Sequence, residues 1–398
     1  MDVKPAYRQT EVGVIPEDWE AVSVGSLASF KSGEGISVAS LSPESSDTPF
    51  PVYGGNGVAG YAPRALVREP TIVIGRVGQK CGEVYLTRGP AWITDNALYP
   101  WKIHRPTDKG FLALALTAAG LNNVKNRNDL PLVTQSILHS VLIPIPPSKA
   151  EQEAIAEALS HADALIESLE QLVAKKRLLK QGAMQELLTG KRRLPGFSGE
   201  WSTRQWGEVI THCQSGATPY RGRPDYFRGT VKWITSGELN YNVITDTLEH
   251  ISDEAVRRTN LKIHPVGTFL MAITGLEAAG TRGACGIVGS PATTNQSCMA
   301  IYPSSSLATQ YLYHYYVFRG NELALQYCQG TKQQSYTARI VKLLPIDLPP
   351  TIEEQSAIAA VLSDMDAEIE ALEAKLAKAR RIKQGMMQEL LTGRIRLI

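Results

Sequence analysis

The chain has 398 residues, a length that suits two or three domains. Apolar residues make up 43% and charged residues 20% of it, which excludes a disordered polyelectrolyte. A net charge of only +2 argues against a strongly basic bulk binder of nucleic acid, and five cysteines with no CxxC pair argue against a zinc ribbon or disulfide framework. The longest apolar run, near 111–121, is too short to span a bilayer, and the polar stretch with Pro5 and Pro16 does not read as a signal peptide. The expectation is a soluble cytoplasmic protein with no membrane partner.

Residues 1–147 read as a mixed α and β domain. Strand-like runs stand at 71–74 and 91–94, an aliphatic stretch at 111–121, and dense turn chemistry at Tyr53-Gly-Gly-Asn-Gly. Gly55 to Gly60 fits GxGxxG, but Pro63 follows at once and no helix opens there, so a dinucleotide loop is rejected. Polar side chains in the loops are candidate readers of a nucleic acid: Lys31, Asn56, Arg76, Gln79, Lys80, Lys125, Arg127 and Asn128. Arg forks onto guanine O6/N7, Asn or Gln onto adenine, and Lys onto phosphate.

Residues 148–199 read as a helical region. Pro-Pro stops the preceding element, Ser148-x-x-Glu151 has the form of a capping box, and Gly190 is placed to end the helix. Ile155, Leu159, Ala162, Ile166, Leu169 and Val173 follow a 4-3-4-3 spacing, the seam of a coiled coil. The first half of the helix is acidic (Glu151, Glu153, Glu157, Asp163, Glu167, Glu170), and the second is basic (Lys175, Lys176, Arg177, Lys180, Lys191, Arg192, Arg193). That polarity suits the helix dipole and an antiparallel partner alike.

Residues 200–350 read as a second mixed domain, with strand-like runs at 231–234 and 268–273. Its candidate readers are Tyr220, Arg221, Arg223, Arg228, Arg282, Lys332, Gln333, Gln334 and Tyr336, where positive charge, amides and aromatic rings coincide. The spacing from Gly275 to Gly280 lacks the lysine of a phosphate loop. HExxH, GxSxG, NPPY-like and His/Cys zinc spacings are missing too, so neither a catalytic residue nor a metal ligand is assigned. Cys81 and Cys285 are read as small buried packers.

Residues 351–398 repeat the helical region. Positions 354–393 match 151–190 at a constant shift of 203, with 26 identities in 40. Thr351-x-x-Glu354 opens this copy; Ile358, Leu362, Met365, Ile369, Leu372 and Leu376 form its seam, and Gly393 closes it. Fainter matches extend into the globular parts. Cys81-Gly82 before Asp95-Asn96 resembles Cys285-Gly286 before Asn295-Gln296, and Trp19, Gly25 and Ser32-Gly33 resemble Trp201, Gly207 and Ser215-Gly216. The architecture expected is two globular domains separated by two long antiparallel coiled-coil helices, a pseudo-twofold internal repeat with one domain toward each end of a rod. Gly182 and Gly385 each cost about 1 kcal/mol against Ala within a helix, which implies a kink or the close approach of a partner. With Gln185 and Gln388 they are the partner-docking candidates.

The repeated Pro-Pro, Glu-Gln-x-x-Ile and Lys-Gln…Met-Gln-Glu-Leu-Leu-Thr-Gly run at 146–190 and 349–393. With Ile15-Pro…Asp18-Trp19 and Tyr53-Gly-Gly-Asn-Gly-Val-x-Gly60, it resembles the specificity subunits of type I restriction–modification systems over the whole chain. The resemblance implies two target recognition domains, each reading one half of a split, asymmetric site on double-stranded DNA. It implies helices that set the spacing and dock two methyltransferase subunits, with two restriction subunits in the full assembly. S-adenosylmethionine would belong to the methyltransferase subunits, and ATP and Mg to the restriction subunits. This chain would bind no cofactor and carry no catalysis. The alternatives are an enzyme with unrecognised motifs and a coiled-coil adaptor that does not read DNA.

Overall fold

The computed structural model describes residues 6–124, 132–278, 280–328 and 334–397. Both repeats of the helical region form continuous helices, Lys149–Leu187 and Ile352–Leu390, of 39 residues each. Each runs roughly 60 Å at ~1.5 Å per residue. Both end at a left-handed glycine, Gly190 at φ +69° and Gly393 at φ +70°. A side chain at Gly393 would also strike Pro16 at 2.6 Å, and one at Gly190 would press on Trp201 at 3.1 Å. Glycine is required at both positions on two counts, which explains why both copies hold it.

The helix starts differ from the expected capping box. The Thr351 hydroxyl accepts from the Glu354 N–H at 3.3 Å, as the pattern predicts. The Glu354 carboxylate is instead buried and forked by Arg193, at 2.6 and 2.7 Å. The equivalent Glu151 is forked by Arg396, at 2.5 and 2.8 Å. A bidentate guanidinium bond is stronger than one bond to a backbone amide, so the carboxylates turn to the arginines. Arg193 and Arg396 are themselves 203 residues apart, so the repeat reproduces the clamp.

The chain divides into two compact units. The first takes residues through Gln171 together with those from Glu373 onward; the second is Leu172–Leu372. This differs from a division into globular and helical segments, because each globular domain packs on the start of its own long helix and the end of the other.

In the first unit a four-stranded sheet has the order Ala28–Ser32, Ala97–Ile103, Ile72–Gly75, Val84–Leu86. A three-stranded sheet joins Gly57–Ala62, Phe50–Gly54 and Trp92–Ile93, the last pair parallel. Residues 55–60 thus form a hairpin, which confirms that their glycines open no helix. The helix Lys109–Ala118, capped by the Asp108 side chain, lays Phe111, Leu112, Ala115 and Leu116 into the core. Trp19 and Phe30 join them, as do Ile155 and Leu159 from the first long helix and Leu390 and Leu391 at the end of the second. Asp163 bonds Lys383 at 2.5 Å and Glu170 bonds Arg380 at 2.6 Å, so the two helix segments run antiparallel, acidic stretch against basic.

The second unit repeats the sheet order with Ile210–Ser215, Cys298–Pro303, Phe269–Ala272 and Cys285–Val288, and adds Asn242–Ile244 at the edge. A three-stranded sheet holds His250–Ile251, Val231–Ile234 and Ala292–Thr294. The helix Thr309–Tyr327 buries Tyr311, Tyr315 and Tyr316, and the Tyr316 ring meets Trp206 and Phe269 edge-on, both at 5.7 Å. Ile358 and Leu362 of the second long helix, with Met184, Leu187 and Leu188 near the end of the first, complete this core. Lys176 pairs with Glu368 at 2.6 Å, and Lys180 pairs with Asp366. Of the predicted seam, Ile155, Leu159, Leu169, Ile358, Leu362 and Ile369 are buried, and Ile166 and Leu372 are half-buried. The outermost positions serve the domain cores, which the heptad pattern alone did not indicate.

Strand register corrects the faint part of the repeat. Val84 pairs with Ile74 and Cys285 with Met271, at matching places in the two sheets, so Cys285 takes the position of Val84. Both Cys81 and Cys285 are buried packers as expected, but Cys81 lies in the turn before its strand. Ala97 and Cys298 open equivalent strands, which pairs Asp95 with Gln296 and moves the alignment by one residue.

Candidate nucleic-acid interface

Ser32, Gly75, Val84 and Ala97 all stand at one end of the first unit's sheet, and the loops leaving that end converge. The Arg76 N–H donates to the Asn96 carbonyl at 3.0 Å, and Glu34 N–H to the Ile93 carbonyl at 2.9 Å. The Lys80 N–H donates to Asn56 Oδ1 at 3.3 Å, tying the hairpin turn to the following loop. A side chain on Gly33 would meet the Ile93 carbonyl at 2.0 Å, so glycine permits the closest of these approaches. This builds a shelf of loops on a rigid sheet, the arrangement in which binding residues are usually carried.

The shelf brings together Asn56, Arg76, Gln79 and Lys80. Asn56, Gln79 and Lys80 are exposed, and Arg76 is half-buried with its guanidinium donating to Ser32 Oγ at 3.1 Å. Lys31 is not part of it. Strand alternation turns its ammonium to the other sheet face, 5.4 Å over the Tyr99 ring. Lys125, Arg127 and Asn128 lie outside the described residues. The shelf also contains Asp95 and Asn96, both exposed at a turn tip, which the sequence marks only through their place in the repeat.

The second unit builds its shelf from the same sheet end. Ala217 N–H donates to the Thr294 carbonyl at 3.1 Å and Asn295 N–H to the Ile234 carbonyl at 2.9 Å. Gln334 reaches it through its main chain, its N–H donating to Glu277 Oε2 at 3.0 Å. Tyr220 is 73% exposed, and Arg228 is exposed on the same segment. Arg221 is forked by Glu249, at 2.5 and 2.8 Å, and lies over the rings of Phe227 and Trp233. Arg223 is forked by Asp225, at 2.9 and 2.6 Å. The guanidinium bonds hold the Glu249 and Asp225 carboxyls below their ordinary range. Each fork fixes the orientation of its guanidinium and leaves part of its N–H donor set uncommitted. The Arg282 Nε is buried without a hydrogen-bond partner among the described residues. Tyr336 corrects its assignment as a reader: it is 3% exposed, a core residue whose phenol burial pushes up. Lys332 and Gln333 lie outside the described residues.

The docking candidates lie on the last turns of the long helices. Gly182 and Gly385 sit within unbroken helix, and a side chain added at either would meet nothing within 4 Å. Among the described residues, neither a helix break nor a close approach accounts for them. Leu179 and Ile382, one turn earlier and on the same helix face, are 51% and 52% exposed. Gln185 is exposed, and Gln388 lines a cavity of about 690 Å³ in the first unit with Met387, Leu391, Ala115 and Ala118.

Among the described residues no group of three or more His, Cys, Asp or Glu side chains could hold a metal ion, and no helix is long and apolar enough to cross a membrane.

Residues 16–175 and 198–381 each match the family model of the type I restriction modification DNA specificity domain. The chain belongs to this family. Among its relatives, the specificity subunit of the type I restriction enzyme MjaVIII of Methanocaldococcus jannaschii is 24% identical over 408 residues, covering 96% of this chain and 94% of the relative. The EcoR124I/EcoR124II specificity subunit of Escherichia coli is 25% identical over 169 residues, covering 42% of this chain and 41% of the relative. The crystal structure of a type I restriction–modification S subunit from M. genitalium has the same fold, with a TM-score of 0.70 at 15% identity over 98% of this chain and 99% of that one.

Proposed function

We propose that the chain is the DNA sequence-specificity subunit of a type I restriction–modification complex, each of its two domains reading one half of a bipartite site. The observation that carries this is the double match to the DNA specificity domain, one copy per globular domain. In this reading the two loop shelves meet the DNA, and the long helices set the unspecified gap between half-sites. The Leu179–Gly182–Gln185 and Ile382–Gly385–Gln388 faces dock two methyltransferase subunits, since a side chain added at either glycine would meet nothing within 4 Å among the described residues. S-adenosylmethionine and the methylation chemistry belong to those subunits, which take the adenine out of the stack. ATP and Mg belong to two restriction subunits, the complex works in the cytoplasm, and this chain catalyses nothing itself.

The test is co-expression with the methyltransferase subunit of the same genome and mapping of N6-methyladenine across the host DNA. A bipartite motif with a fixed gap, absent when this chain is deleted, is the expected result. Methylation that ignores the deletion would transfer the role elsewhere and leave the chain an adaptor.

A further inference from the structure

We propose that one turn-tip position, Asp95 in the first unit and Gln296 in the second, reads a base in each half-site, and that the two residues read different bases. The proposal rests on the DNA-reading function above and names the residues that would carry part of it.

The two tips are one structure built twice. Ala97 N–H donates to the Thr94 carbonyl at 3.1 Å, and Cys298 N–H to the Asn295 carbonyl at 3.2 Å. Inside each turn a side chain caps the next amide: Thr94 Oγ1 accepts from Asn96 N–H at 3.3 Å, and Asn295 Oδ1 accepts from Ser297 N–H at 3.0 Å. Glycine at 33 and at 216 lets the neighbouring loop press against the residue before each turn, where a side chain would come within 2.0 and 1.9 Å of a carbonyl oxygen. The backbone is therefore fixed from both sides. The middle residue projects outward from it, and both Asp95 and Gln296 are exposed.

Their surroundings differ at the position two residues after the packed glycine. Two residues after Gly216 stands Thr218, whose hydroxyl donates to Gln296 Oε1. Two residues after Gly33 stands Gly35, which has no side chain to offer; a carbon added there would come 3.7 Å from Asp95 Oδ2. Among the described residues the Asp95 carboxylate has no hydrogen-bond or ion-pair partner.

The donor inventory fixes what each tip can hold. With Oε1 pinned by Thr218, the Gln296 amide group keeps both N–H donors outward, and Oε1 keeps a second lone pair. That is the donor–acceptor pair that fits adenine N7 and N6. A carboxylate only accepts, so Asp95 needs an exocyclic amine and fits cytosine N4. An unpaired carboxylate facing DNA is repelled by phosphate, so contact with a base amine is the arrangement that favours aspartate there.

The test uses the assembled complex of this chain with its methyltransferase subunits and reads the methylated motif by long-read sequencing. Gln296→Glu should lower methylation of sites carrying the parental base at one position of one half-site by about tenfold or more. Asp95→Asn should do the same at one position of the other half. In each case the opposite half-site and the gap should be unchanged. Thr218→Val, which frees the Gln296 amide to turn, should relax preference at the Gln296 position alone. A motif with unchanged base preference in both variants overturns the proposal. So does a uniform loss of methylation by a complex that still assembles, because the tips then contribute only to general binding. Failure of the unmodified complex to give any bipartite motif would instead sink the DNA-reading function itself.

Discussion

Glu151 is almost wholly inaccessible at the start of a helix, where a carboxylate meets the positive end of the dipole yet loses its water. Arg396 compensates with two bonds to Glu151 and two, both 2.9 Å, to the Asp18 carboxylate. Removing one partner of such a pair strands the other charge in the interior, so Arg396→Met should cost about 3 kcal/mol in chemical unfolding. Adding Glu151→Leu should recover part of that, since it deletes the stranded charge; a single variant as stable as the parent would show that the pair contributes little. Two buried histidines act with the opposite chemistry. His264 sits between the Tyr302 hydroxyl at 2.6 Å and Thr294 Oγ1 at 3.2 Å, and His314 bonds Ser363 at 2.9 Å. Burial holds both imidazoles down to about 4. The unfolded chain takes up these protons below the ordinary histidine value of ~6.5, while the folded one does so only near 4. Stability is therefore full at pH 7 and is lost progressively as pH falls from 6.5 toward 4. Urea titrations at pH 7 and pH 5 should show the loss, and His264→Gln should reduce the difference between them.

At the scale of elements, the long helices were legible because everything that makes them is local: a hydroxyl cap, a 4-3-4-3 apolar spacing, a left-handed glycine. The seam's division of labour was not, because the spacing that packs helix on helix also packs Ile155 and Leu159 on a domain core. The loop shelf was legible only in part for the same reason. Composition marked Asn56, Gln79 and Lys80 as polar and in turns, but the face toward which Lys31 points depends on strand register. Tyr336 lies in the core, a depth that a tyrosine beside Lys and Gln in sequence does not reveal. Arg221 and Arg223 look like readers by residue type, and only the fold shows the acids that hold them. The helices also admit a direct test of spacing. Four residues inserted within 174–181 add about one turn, or ~6 Å of rise. The methylated motif should keep both half-sites and gain one or two base pairs in its gap. An unaltered gap would mean that something other than helix length sets it.

For the molecule as a whole, the charge balance is more informative than its small sum. Lys and Arg number 41 against 39 Asp and Glu, and many of the basic groups are held by acids of the same unit. Arg193 and Arg396 hold the helix starts, Lys176, Lys180, Arg380 and Lys383 tie helix to helix, and Arg221 and Arg223 are forked within the second domain. The basic groups held in these pairs are drawn away from phosphate, and each phosphate neutralised contributes about 0.9 to the slope of log affinity against log salt. In the proposed complex, the chain with its cations so engaged is expected to grip the backbone weakly, and the methyltransferase subunits to supply much of the counterion release. Fluorescence anisotropy on a labelled duplex between 50 and 200 mM salt should therefore give a shallow slope for the chain alone, about 3 or less, and at least twice that for the complex with methyltransferase subunits. Equal slopes would mean that this chain makes the phosphate contacts itself, and that its internal ion pairs open when it meets DNA.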